Sequence, residues 1–169
     1  MKNQTLNLFI VDDNPVVAKG LQYYLDTRFG NNLNISSFTT GESALQKLDQ
    51  STNIVILDYF LDGEDGKEIL KSIKSINPNV EVIMHSSNDD IGVAIDLFRN
   101  GASDYVLKGE KSWKKLTSIL YKTLTYPVRI MVQEFGINKY LAMFLITFLA
   151  MGIGVVISLN FSRWFSNNV

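Results

Sequence analysis

The sequence predicts an α/β fold, a doubly wound parallel sheet of five strands with helices on both faces, followed by one C-terminal element of different character. Three observations carry this prediction. From Leu6 to about Thr125, short β-rich runs alternate with amphipathic stretches, the pattern of βα units around a parallel sheet. Four of the five runs are almost continuously apolar, as strands covered on both faces are. Polar groups follow those runs directly: Asp12 and Asp13 after Leu8–Val11, Asp58 after Ile54–Leu57, Ser86 after Val80–His85, and Lys108 after Tyr105–Leu107. Parallel strands would gather all five side chains at one carboxyl edge, where open α/β sheets bind ligands.

Each element has a local reason. Strands are expected at Leu6–Val11, Leu33–Phe38, Ile54–Leu57, Val80–His85 and Ser103–Leu107. The second is more polar and alternates, which suits a sheet edge. Asn14-Pro15 is a cap followed by a first-turn proline and opens a helix through Val16, Val17, Leu21, Tyr24 and Leu25. Thr40-Gly41-Glu42 starts a short helix through Leu48. Asp65-Gly66 leads into Ile69, Leu70, Ile73 and Ile76, closed by Pro78. Asp89 or Asp90 caps a helix through Val93, Ala94, Leu97 and Phe98 that stops at Asn100-Gly101. A last helix over about Glu110–Thr125 is expected to end at Tyr126-Pro127.

After Pro127 the composition changes. Residues 126–139 read as a connector, with an interfacial helix as one option. Tyr140 to Leu159 carries no charged residue over roughly the 20 positions that span a bilayer core, and is expected to be a transmembrane helix. Thr147 and Ser158 can bond to helix carbonyls, and Tyr140 and Trp164 flank the segment as interfacial aromatics do. Residues 160–169 would form a short tail. Lys122, Arg129 and Lys139 precede the segment and Arg163 follows it, which places the N-terminal domain on the cytoplasmic side. The Ala150–Gly154 spacing leaves a homodimer through this helix open.

The composition narrows the function. A net charge of -1 over 169 residues offers no basic surplus for nucleic acid. No cysteine is present, so there is neither a disulfide framework nor thiolate chemistry. Three carboxylates at one strand edge repel one another unless a counter-charge joins them. Hard oxygen ligands without a neighbouring histidine or cysteine favour Mg²⁺. A carboxylate beside such an ion can attack a phosphoryl group and form an aspartyl phosphate. Lys108 would then neutralise the transferring oxygens and the Ser86 hydroxyl would bond one of them. Taken singly, each of these acids would be a helix cap or a solvated loop residue, and His85, the single histidine, a strand-end residue without a catalytic part.

The set Val11-Asp12-Asp13-Asn14-Pro15, Leu57-Asp58 with Asp65-Gly66, Ile83-Met84-His85-Ser86 and Gly101-Ala102-Ser103-Asp104-Tyr105-Val106-Leu107-Lys108 resembles the receiver domain of bacterial two-component response regulators, over residues 5–125. The resemblance implies a flavodoxin-like (βα)5 fold with strand order 2-1-3-4-5. It implies that Asp58 is the phosphoacceptor, loaded by a sensor histidine kinase or a histidine phosphotransfer protein. Asp12, Asp13, Asp58 and the Phe60 backbone carbonyl would hold Mg²⁺, Ser86 and Lys108 would engage the phosphoryl group, and Tyr105 would be the aromatic switch of the 89–109 face. Two positions depart from the family text. Gly109 stands where proline is common, and Leu61-Asp62-Gly63-Glu64 replaces a frequent Met-Pro segment and adds negative charge near Asp58.

The reading is a signalling switch, not an enzyme beyond its own phosphorylation and dephosphorylation, anchored in the bacterial inner membrane by one pass in place of an output domain. No nucleic-acid partner is expected, and the downstream protein partner is not specified by these residues. A pseudo-receiver, a membrane-tethered scaffold that is never phosphorylated, is the alternative. An unrelated Mg²⁺ phosphohydrolase fits less well, because Asp58-Tyr59-Phe60 lacks the Asp-x-Asp pair of such enzymes.

Overall fold

The elements run β1 (Leu6–Val11), α1 (Pro15–Phe29), β2 (Leu33–Phe38), α2 (Gly41–Leu45), β3 (Thr52–Asp58), β4 (Phe60–Leu61), β5 (Glu64–Asp65), α3 (Gly66–Ile76), β6 (Glu81–Ser86), α4 (Ile91–Arg99), β7 (Asp104–Leu107) and α5 (Ser112–Glu134), with one 3₁₀ turn at Gly30–Asn32. The structure, a computed structural model, describes residues 5–134, 143–153 and 158. Five strands form one parallel sheet in the order β2-β1-β3-β6-β7. This is the expected order, renumbered because β4 and β5 form a separate antiparallel hairpin that the sequence reading did not contain. The polar β2 lies at an edge, as its alternation implied. Register aligns the strand ends: Val11 pairs with Leu57, Asp58 with His85 and Ser86 with Leu107.

The period of two along each strand builds two covered faces. Phe9, Val11, Val55, Leu57, Val82 and Met84 form one core with Ile69, Leu70 and Ile73 of α3 and Leu97 of α4. Leu8, Ile10, Ile54, Ile56 and Ile83 are buried on the alternate positions, and α1 buries Ala18, Leu21, Leu25 and Phe29.

Side-chain caps set the helix starts. Asn14 Oδ1 accepts the amides of Val16 and Val17 at 3.0 and 3.3 Å, Thr40 Oγ1 that of Ser43 at 3.2 Å, Asp65 that of Lys67 at 2.8 Å, and Asp90 that of Gly92 at 2.7 Å. Each such cap satisfies an otherwise orphaned donor and stabilises its helix by about 1 kcal/mol. Gly66 opens α3 against the end of β3, where a Cβ would lie 2.6 Å from the Tyr59 carbonyl oxygen and 2.8 Å from that of Asp58. Only glycine lets the helix approach the strand so closely.

Two helix ends differ from the expectation: α2 stops at Leu45 and does not run through Leu48, and the end of α5 moves in the other direction. Tyr126-Pro127 does not end α5, which continues to Glu134. Proline removes one N–H and crowds the preceding turn, which bends a helix but does not forbid residues on its far side from continuing it. The chain divides into two units, Met1–Ser118 and Ile119–Val169. In the second, residues 143–153 are helical and their apolar side chains, including Met143, Phe144, Phe148 and Met151, are exposed. Thr147 Oγ1 donates to the Met143 and Phe144 carbonyls, each at 2.9 Å, as anticipated for a polar residue in an apolar helix. Among the described residues no helix is long and apolar enough to cross a membrane. The described run of this segment extends about 16 Å, half a bilayer core. Of the expected span 140–159, residues 140–142, 154–157 and 159 lie outside the described residues, as do 135–139 of the connector and the tail 160–169.

Candidate functional site

The ends of β1, β3, β6 and β7 converge as the sequence implied. Asp12, Asp13 and Asp58 present carboxylate oxygens that all lie within 4.8 Å of one another. Asp12 and Asp58 are buried and Asp13 is exposed, so the cluster opens to solvent on one side. Lys108 closes it from β7. Its ammonium donates to Asp12 Oδ2 at 2.8 Å and to Asp58 Oδ2 at 2.5 Å. The other oxygen of each acid accepts a backbone amide two residues on, Asn14 N to Asp12 Oδ1 at 3.0 Å and Phe60 N to Asp58 Oδ1 at 3.2 Å.

Burial pushes the Asp58 carboxyl above its ordinary range, even though the Lys108 ammonium pulls it the other way. Burial would lower Lys108, but its hydrogen bonds to Asp12 and Asp58 outweigh that and hold it above its usual value. One cation thus serves two buried acids, and the third acid faces water. This donor set is all hard oxygen, three carboxylates with the Phe60 carbonyl two residues beyond Asp58. Its chemistry fits a small divalent cation such as Mg²⁺ and not a soft metal.

Ser86 is buried at the end of β6, and its Oγ accepts the Asn88 amide at 3.0 Å. Lys108 N donates to the Ser86 carbonyl at 2.6 Å, which ties the two predicted phosphoryl-contacting residues through their backbones. The Tyr105 hydroxyl donates to the Asn88 carbonyl at 2.5 Å. Asn88, which the sequence reading passed over, therefore joins Ser86 to Tyr105. The only signal for it was the run of short polar residues after β6, the composition of chained side-chain-to-backbone turns.

Two further residues of this region have partners or surroundings that the sequence does not specify. Glu64 does not direct its charge at Asp58. Its two oxygens accept the amides of Gly41 at 2.6 Å and Glu42 at 3.0 Å. The Asp62-Gly63 dipeptide, a turn signal between two-residue strands, was the available clue to this hairpin. His85 is buried beside Asp58 in register, and its Nε2 has no hydrogen-bond partner. Burial first, then the Lys108 charge, pushes it down to about 4, so it is neutral at physiological pH.

Comparison with known proteins gives this geometry a lineage. The family model described as response regulator receiver domain matches residues 8–120. The transcriptional regulatory protein CssR of Bacillus subtilis is 36% identical over 102 residues, which are 60% of this chain and 44% of CssR. AfsQ1 of Streptomyces coelicolor is 31% identical over 103 residues, again 60% of this chain and 44% of the relative. The chain therefore spans less than half the length of these curated relatives. Among solved structures, the BeF3-activated DrrB receiver domain is similar with a TM-score of 0.62 and 26% identity, covering 71% of this chain and 97% of that one. TrrA of Thermotoga maritima, solved in complex with Mg²⁺ and BeF, shares the fold with a TM-score of 0.59 at 24% identity, covering 70% and 98%. The converged acids, the lysine that bridges them, the sheet order and the family match agree, and this chain belongs to the response regulator receiver domain family, a signalling module of two-component systems rather than a true enzyme.

Proposed function

We propose that the chain is a phosphorylation switch. Asp58 Oδ attacks the phosphorus of a phosphohistidine on a sensor histidine kinase or histidine phosphotransfer protein; the P–O bond forms, the P–N bond breaks and the imidazole leaves. Asp12, Asp13, Asp58 and the Phe60 carbonyl hold Mg²⁺, which when bound neutralises charge on the transferring oxygens. Lys108 contributes a further positive charge. Ser86 donates its hydroxyl hydrogen to a phosphoryl oxygen, and Asn88 and Tyr105 carry that change to the 89–109 face. The observation that carries this reading is the Lys108 ammonium in contact with both buried acids, a counter-charge placed where phosphoryl oxygens would arrive. Intact mass after acetyl phosphate and Mg²⁺ tests it. One added phosphoryl group, absent from Asp58→Asn, is expected; label that persists in Asp58→Asn rules the site out.

A scaffold that is never phosphorylated is the second reading. The Tyr105–Asn88 hydrogen bond coexists with the Lys108–Asp58 ion pair, which suits a face set without phosphate. Wild type that binds Mg²⁺ yet takes no label selects it.

The proposal includes a single-pass anchor at 140–159 in a bacterial inner membrane with the receiver in the cytoplasm, output by protein contact and no nucleic-acid partner. Its support is the uncharged segment and the exposed apolar side chains of 143–153. The full chain should resist high-salt and alkaline extraction from membranes; protein that washes off removes the anchor from the proposal.

A further inference from the structure

The hairpin that follows the phosphoacceptor is fastened at three points, and one of them lies outside the site. Its first residue, Phe60, donates its amide to Asp58 Oδ1. Its base is closed by the Gly66 amide on the Tyr59 carbonyl at 3.2 Å. Its second strand carries Glu64, paired with Leu61 across the Asp62-Gly63 turn, where Gly63 has φ +74°. The Glu64 carboxylate bridges the Gly41 and Glu42 amides, the first donors of α2 and otherwise without an intrahelical partner. Position 41 is shaped for this contact: a Cβ there would lie 2.6 Å from Ile69 Cδ1 and 3.2 Å from Glu64 Oε1.

We propose that Glu64 is a positioning residue for the metal site: by locking the hairpin to α2 it holds the Phe60 carbonyl and the Phe60 amide in place around Asp58. The inference rests on the phosphorylation reading above and adds a residue to it. A two-residue hairpin has too few bonds to be stiff alone. With Glu64 in place, a shift of the hairpin as a unit would break two charge-assisted hydrogen bonds. Loss of an outer partner of this kind typically weakens metal binding by 10–100-fold.

The test compares Glu64→Ala and Glu64→Gln with two controls in the full chain. Thr40→Ala removes the other side-chain bond at the start of α2, and Asp62→Asn removes a charge from the same hairpin without touching the clamp. Mg²⁺ affinity is read by calorimetry, and phosphoryl uptake from acetyl phosphate at low and at saturating Mg²⁺ by intact mass. Glu64→Ala should weaken Mg²⁺ about tenfold, slow uptake at low Mg²⁺ and recover at saturation, with Glu64→Gln between it and wild type and both controls like wild type. Wild-type affinity in Glu64→Ala, or equal losses in Thr40→Ala, overturns the clamp alone. Wild type that takes up neither Mg²⁺ nor a phosphoryl group overturns the phosphorylation reading, and the clamp falls with it.

Discussion

Two loops flank Asp58, and they are built in opposite ways. On one side the β4–β5 hairpin leads into α3, which buries Gly66, Ile69, Leu70 and Ile73. On the other side residues 87–90 lead into α4, which buries only Leu97 and leaves Ile91, Ile95 and Phe98 exposed. The first is tied to a neighbouring helix by a carboxylate. The second is a ladder of local bonds, Asn88 N to Ser86, Asp90 N to Asn88 and Gly92 N to Asp90, with Lys67–Asp96 at 2.5 Å the ion pair from α3 to α4. Under the proposed switch, a site that holds a cation while changing a surface would benefit from that division. The oxygens proposed to bind would stay fixed, and the side proposed to report has little buried area to break.

The largest expected effect falls on Lys108, the charge shared by the two buried acids. Lys108→Ala should cut phosphoryl uptake by roughly 10²-fold, the usual consequence of removing a charge aimed at a transferring group; intact mass measures it, and uptake within a few-fold of wild type would put the chemistry elsewhere. Next come the two helices. Ile73→Ala should destabilise the domain by about 2–5 kcal/mol, and Ile95→Ala in α4 by no more than about 0.5 kcal/mol. Urea unfolding compares them, and equal losses would erase the contrast.

His85 gives the end of β6 its own acid sensitivity. Its folded value near 4 lies below the ordinary 6.5. Stability is therefore complete above about 6.5 and is lost as pH falls from there toward 4, by at most about 3 kcal/mol. His85→Leu should flatten that part of the profile, and an unchanged acid limb would assign the loss to carboxylates. The helix caps sharpen the comparison most. Asp65→Ala and Asp90→Ala each remove one cap, worth about 1 kcal/mol. Hydrogen exchange should rise across the domain in the first and only around α4 in the second.

The sheet was legible because four of its five strands are nearly pure apolar runs, and Leu6–Val11 and the more polar Leu33–Phe38 have the predicted limits. The helix starts were legible because Asn14, Thr40, Asp65 and Asp90 are caps by side-chain chemistry. The acids, Ser86 and Lys108 were legible because each follows a strand. Other features were not. Strands of two residues have no periodicity to detect, so the hairpin and the partner of Glu64 were hidden. Phe98 was grouped with the apolar face of α4 yet is half exposed, since periodicity finds a stripe but not what covers it. Tyr126-Pro127 predicts a stop, yet α5 continues past it.

A hydroxyl carries two lone pairs and one hydrogen. At Ser86 a lone pair receives the Asn88 amide, and the hydrogen remains available for an incoming oxygen. Under the proposed switch, loop anchorage and ligand sensing would therefore meet at a single atom and need not alternate. Alanine at 86 would remove both roles together, whereas threonine, with the same oxygen, would preserve both.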